Sequence, residues 1–179
     1  MEVKEPAPKL YRKMSAEEYL EWERQQEYKN EFHSGEIVAM SGASFAHNFI
    51  NTNLFLAIGK YLEGKPCNVF TSELRVEVKA KESYFYSDII IVCGELEAAD
   101  DKLNMIKNLT VIVEILSPSI EQYDVKRKKF FYMQMHSLKE YIMIDSTRVS
   151  VDILRRGDGN KWENEILISK RFINVYSNN

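Results

Sequence analysis

Apolar and polar positions along the chain change period several times, and each change marks an element. Ser15 stands three residues before Glu18, the arrangement in which a hydroxyl and a carboxylate cap a helix start reciprocally, so a first helix is predicted over residues 16–26. From Glu31 to Met40 the chain reads as two short strands around a turn at Ser34-Gly35. Ser41-Gly-Ala-Ser44 breaks that pattern and opens a second helix. Its apolar residues Phe45, Phe49, Leu54, Leu56, Ile58 and Leu62 are too dense for a solvated helix, which predicts packing against a sheet, and Gly64 fits the stop. Residues 67–70, 74–79, 85–92 and 109–116 are rich in β-branched and aromatic side chains, and three of these runs are almost wholly apolar, as strands covered on both faces are. Helical spacing returns over 120–135, and strands are predicted again over 137–145, 149–155 and 162–168. The architecture that follows is an α/β chain of the α+β type, with a central mixed β-sheet flanked by helices.

Composition changes this picture little. The chain has 179 residues, 45% of them hydrophobic and 28% charged, which suits one domain over 1–179 with residues 1–10 as a tail. Seven Gly and four Pro leave no linker or low-complexity stretch. The longest fully apolar run, Ile89–Cys93, is far too short for a membrane span, and the opening residues carry no apolar secretory segment. Cys67 and Cys93 form no metal spacing and no disulfide framework, so a reducing, cytoplasmic setting is expected, with Cys93 as a buried thiol ending an apolar strand.

Charge matters more. A net charge of −3 speaks against broad electrostatic binding of nucleic acid. A local patch can still meet phosphates, and Lys126, Arg127, Lys128 and Lys129 are consecutive. A solvated helix face explains such a run equally well when it is taken alone.

Two acidic residues stand where acids are rare. Glu114 lies inside Val111-Ile-Val-Glu-Ile-Leu116, and Asp88 heads Ile89-Ile-Ile-Val92. An unpaired buried carboxylate costs several kcal/mol even after relaxation. A bound cation would make Glu114 tolerable, as would a Lys or Arg partner or a raised pKa; Asp88 could simply cap a strand end. Downstream, Asp124, Lys128 and Tyr132 follow at spacing four, about 400° of helix rotation per step, and share one stripe. Two carboxylates with a nearby ammonium suit a hydrolase that uses a hard, oxygen-loving cation.

Taken together, these pieces resemble a known family. Tyr86-Ser-Asp88-Ile-Ile-Ile-Val, Val113-Glu-Ile-Leu-Ser-Pro-Ser119, the Asp124–Lys128–Tyr132 stripe and Ser137-Leu-Lys-Glu-Tyr-Ile-Met-Ile-Asp145 resemble the Uma-two family of restriction endonucleases, within the PD-(D/E)XK nuclease superfamily. Glu31 before Gly35-Glu36, Met40-Ser-Gly-Ala-Ser44 and His47 extend the likeness, which covers roughly residues 10–155. It implies a metal-dependent endonuclease in which Asp88, Glu114 and the carbonyl of Ile115 hold Mg²⁺, with Mn²⁺ as a substitute. Leu116 stands where the superfamily motif has Lys, and the family's lysine would come from the next helix as Lys128. Ser87 replaces the usual Pro before the metal-binding Asp. Glu31, His47, Asp124 and Tyr132 are candidates for supporting the site, with Tyr132 a packing or hydrogen-bonding residue rather than a nucleophile. Lys126, Arg127 and Lys129 are candidates for contact with double-stranded DNA. A homodimer would suit cutting both strands. Two other readings stay open: a catalytically inactive relative acting as a nucleic-acid or protein binding module, and a structural domain in which Glu114 merely pairs with Lys128.

Overall fold

The first helix, α1 (Ala16–Glu23), begins as its capping residues dictate: Ser15 Oγ accepts from Glu18 N–H at 3.2 Å, and Glu18 Oε2 accepts from Ser15 N–H at 2.9 Å. The computed structural model describes residues 13–40, 42–78, 82–99, 105–117 and 122–168, with side chains of 122–126 left aside. Strands β1 (Asn30–His33) and β2 (Glu36–Ala39) form the expected hairpin, and Ser34 and Gly35 both take positive φ, 52° and 87°, as a tight two-residue turn between right-twisted strands requires. Then follow α2 (Phe45–Leu62), β3 (Cys67–Thr71), β4 (Arg75–Val78), β5 (Ser83–Tyr86), β6 (Ile89–Cys93), β7 (Met105–Ile106) and β8 (Val111–Leu116). The C-terminal part holds α3 (Gln122–Tyr132), β9 (Glu140–Asp145), β10 (Ser150–Arg156) and β11 (Trp162–Ile168).

The α+β class agrees with the expectation, and the strands divide between two mixed sheets. The larger has the order β11-β10-β9-β8-β6-β3 and the smaller β2-β1-β5-β4-β7. Residues 85–92, expected as one strand, break at Ser87-Asp88, with β5 in the smaller sheet and β6 in the larger. Within the larger sheet β8 and β9 are parallel, and a parallel pair needs a crossover. Helix α3 lies in that crossover.

One core joins the sheets: Val76 and Phe85 pack with Ile90, Ile112, Phe131, Tyr132, Leu138 and Tyr141. A second core under α1 contains Tyr19, Phe32, Ile37, Tyr84 and Met105. Along β5 the side chains alternate, with Tyr84 in the second core and Phe85 in the first.

Helix α2 departs from expectation on one side. It packs on β3 and β8, with Gly59 close to Val69, but the opposite face leaves Phe45, Phe49 and Leu56 in water. The helix is apolar all round, and a sheet can cover only one of its faces.

The cysteines require a correction. Cys67 and Cys93 are opposite one another on β3 and β6 and form a disulfide, and Cys93 is exposed rather than a buried thiol. Gly94 N–H donates to Pro66 carbonyl at 2.7 Å, so Cys67 and Cys93 form the close, non-hydrogen-bonded pair of an antiparallel ladder, where side chains approach most nearly. A separation of 26 residues hid this pairing in the sequence. No described helix is long and apolar enough to cross a membrane.

Candidate active site

Asp88 directly precedes β6, and Glu114 lies inside β8. The ladder ends at the pair Ile89 and Val113; Asp88 and Glu114 are the next residue on each side of it, and the Asp88 charge helps to raise the Glu114 carboxyl. Like charges in that position repel unless something positive intervenes. Asp88 Oδ2 accepts from Ile115 N–H at 2.7 Å, and Oδ1 lies 3.0 Å from His47 Nε2. The Asp88 bond holds the imidazole above its ordinary pKa against the opposing effect of burial. His47 occupies the first turn of α2, where Ser44 caps the helix, so the N-cap sets its reach to Asp88.

Glu114 is buried, and burial pushes its carboxyl up to about 7, although Lys128 pulls the other way. Oε1 lies 3.2 Å from Lys128 Nζ yet accepts no hydrogen bond of good geometry. Lys128 comes from α3, one turn before Tyr132. Its ammonium lies 2.7 Å from Glu31 Oε1 and donates to the Tyr86 carbonyl at 2.7 Å. The two carboxylates beside it keep Lys128 charged despite burial. Tyr132 is buried, with its hydroxyl 2.7 Å from Ser87 Oγ, which makes it a packing and hydrogen-bonding residue.

The structure thus brings together Glu31, His47, Asp88, Glu114, Lys128 and Tyr132. Glu114 has two of the three things that could make it tolerable, a lysine partner and a raised pKa. Oε1 accepts no well-formed hydrogen bond and lies near a second carboxylate, which leaves room for the third. Among the described residues, no group of three or more His, Cys, Asp or Glu side chains could hold a metal by itself. A hard cation held by two carboxylates would need backbone oxygen and water as its other ligands. Leu116 carbonyl turns to Ser146 N–H at 3.0 Å, while Ile115 N–H turns to Asp88; in an extended strand the Ile115 carbonyl lies on that same Asp88 side.

The basic run is less uniform than its sequence. Arg127 Nη2 binds Glu36 Oε2 at 3.0 Å, and Lys129 is half-buried. The side chains of Asp124 and Lys126 lie outside the described residues. Two groups escaped sequence reasoning. Tyr141 is fully buried near Glu114 and Lys128, and its hydroxyl has no hydrogen-bond partner. The Tyr86 peptide binds Glu31 through its N–H at 2.9 Å and Lys128 through its carbonyl. Main-chain contacts leave no residue-type signal, and nothing in the sequence could have found the second.

Residues 16–172 match the model of the Uma2 family, described as "Putative restriction endonuclease". The chain belongs to the Uma2 family. Two proteins of Synechocystis sp., both described as uncharacterized, are each 32% identical to it. The protein slr1290 aligns over 157 residues, 88% of this chain and 80% of its own length. The protein sll1609 aligns over 149 residues, 83% of this chain and 84% of its own. A crystal structure from Anabaena variabilis, described as a putative nuclease belonging to DUF820, shares the Uma2 fold seen here with a TM-score of 0.73. It is 19% identical, with 87% of this chain and 85% of that chain covered.

Proposed function

We propose that this Uma2 protein is a Mg²⁺-dependent endonuclease that hydrolyses phosphodiester bonds in double-stranded DNA. The observation that carries this reading is the neighbouring pair Asp88 and Glu114, with the buried Glu114 Oε1 accepting no well-formed hydrogen bond and the Lys128 ammonium beside it. The descriptions of the family as a restriction endonuclease and of the Anabaena structure as a nuclease support the coarser part of this reading, a nuclease. Asp88, Glu114 and the Ile115 carbonyl would hold the cation, with Mn²⁺ able to replace it. A bound Mg²⁺ would lower the pKa of a water and offset phosphate charge.

The chain's own residues supply the rest. Lys128 places a compact positive charge, held from two sides by Glu31 and the Tyr86 carbonyl, where it can orient a water or steady a non-bridging phosphate oxygen. Glu31 balances that charge in a buried setting. His47 holds one Asp88 oxygen, and the Ile115 N–H holds the other. Lys126, Arg127 and Lys129 would meet the DNA backbone, with Arg127 exchanging Glu36 for a phosphate. A local patch of this kind is compatible with an overall charge of −3.

Incubation with supercoiled plasmid and linear duplex, in Mg²⁺, Mn²⁺ or EDTA, tests the reading, with single-stranded DNA and RNA as parallel substrates. Nicking or linearisation that EDTA abolishes is expected. No cleavage of the duplex with either cation, from folded protein, would contradict it.

A further inference from the structure

The smaller sheet contains a buried polar network that the reaction itself does not use. Glu23 ends α1, Asn30 begins β1, Arg75 begins β4 and Tyr86 ends β5; all four are buried. Tyr86 hydroxyl accepts from Arg75 Nε at 2.9 Å and Nη2 at 2.7 Å, and donates to Glu23 Oε1 at 3.3 Å. Glu23 also accepts from Asn30, through the main-chain N–H at 2.8 Å and Nδ2 at 3.0 Å. Tyr19 hydroxyl closes the cluster on the Asn30 carbonyl at 2.5 Å.

Such a network adds little stability. Burying an arginine and a glutamate desolvates both, and apolar side chains of the same volume often do as well or better. Its position is more informative. Tyr86 points its ring toward Arg75 and Glu23, while its own peptide groups face the candidate active site: the N–H holds Glu31 and the carbonyl holds Lys128. At the other end, Asn30 directly precedes Glu31. The network therefore grips the chain at both places that decide where the Glu31–Lys128 pair sits.

We propose that the Glu23–Arg75–Tyr86 network is a positioning device for Lys128, fixing the Tyr86 peptide that holds the lysine and its Glu31 partner. Tyr86, Arg75 and Glu23 are positioning residues, since none touches the reacting groups through its side chain. The consequence for catalysis rests on the nuclease reading; the consequence for Lys128 itself does not.

Two variants test it: Tyr86→Phe, which removes the hydroxyl, and Glu23→Gln, which keeps the shape and one acceptor oxygen but replaces the other with a donor and removes the charge. A structural role alone would lower the melting temperature and leave turnover per folded molecule unchanged. The positioning role predicts a kcat lower by about tenfold with KM for duplex DNA and the Mg²⁺-induced rise in melting temperature unchanged, because small misplacements of a catalytic group are costly. It also predicts that acylation of Lys128 in the folded protein by an amine-reactive reagent, quantified on the Lys128 peptide by mass spectrometry after digestion, becomes several-fold faster in both variants. Should Tyr86→Phe fail to fold, Glu23→Gln carries both readouts. Wild-type labelling of Lys128 in a folded variant overturns the inference, as does wild-type kcat or a loss confined to KM. If the wild type itself cleaves nothing, the nuclease reading fails, and the labelling still decides whether the network positions Lys128.

Discussion

Removal of Lys128 should cost the metal-free protein heavily. In Lys128→Ala, Glu31 and Glu114 lose the ammonium lying 2.7 and 3.2 Å away, and both side chains are largely shielded from water. Breaking a buried pair from one side costs about 3–5 kcal/mol, because the remaining charge is uncompensated. A domain of this size loses about 2–4 °C per kcal/mol, so the melting temperature should fall by roughly 6–20 °C. Proton uptake by Glu114 limits the loss. Burial already pushes that carboxyl up to about 7 with the lysine present, and without it the carboxyl rises further. The deficit should therefore be largest near pH 8 and shrink on acidification. Mg²⁺ should restore more stability to the variant than to wild type, since a cation at Asp88 and Glu114 supplies the missing charge and no ammonium repels it. Differential scanning calorimetry at pH 6 and 8, with and without Mg²⁺, measures all three effects. A loss below about 1 kcal/mol at pH 8, the value of an exposed ion pair, would show that Lys128 is not clamped between buried carboxylates.

Three further outcomes are expected. Lys126→Ala, Arg127→Ala and Lys129→Ala combined should weaken duplex binding across sequences and flatten its dependence on salt, because fewer counterions are released; an unchanged slope in a fluorescence-anisotropy titration returns these residues to a solvated face. Reducing the Cys67–Cys93 bond, which closes a separation of 26 residues, should lower stability by about 3–4 kcal/mol in a chain-entropy treatment, read by urea unfolding with and without reductant. The carboxyl of Glu114 is raised on folding, so its contribution to stability is complete below the ordinary carboxylate range and disappears as pH rises through about 7. Metal-free wild type should accordingly lose stability between pH 5 and 8 relative to Glu114→Gln, and parallel stability curves for the two would contradict that burial.

Residue chemistry made the candidate site legible in the sequence. A lone Glu114 among apolar neighbours demanded a partner, and the four-residue spacing put Lys128 and Tyr132 on one face of α3, the face that meets β8. The capping box at Ser15 and the Ser34-Gly35 turn were equally plain, since each is decided within a few residues. Long-range pairing was not. Residues 85–92 read as one apolar strand because nothing local says that Ser87 and Asp88 pass the chain from one sheet to the other. The two-residue β7 is too short for a pattern, and the Cys67–Cys93 bond depends on register between β3 and β6. The density of apolar residues on α2 correctly predicted a packed face and could not reveal that Phe45, Phe49 and Leu56 would lie on the opposite one.

The central claim is that Asp88 and Glu114 hold a catalytic cation. Single-turnover cleavage of a linear DNA duplex by wild type and Glu114→Gln, each titrated with Mg²⁺ and each confirmed folded by circular dichroism, tests it most directly. The amide keeps the shape of the side chain and loses the charge that attracts the cation. Cleavage should rise and saturate with Mg²⁺ in wild type, and Glu114→Gln should remain folded but inactive, its melting temperature nearly indifferent to the metal. Equal cleavage and an equal thermal response to Mg²⁺ in the two proteins would contradict the assignment.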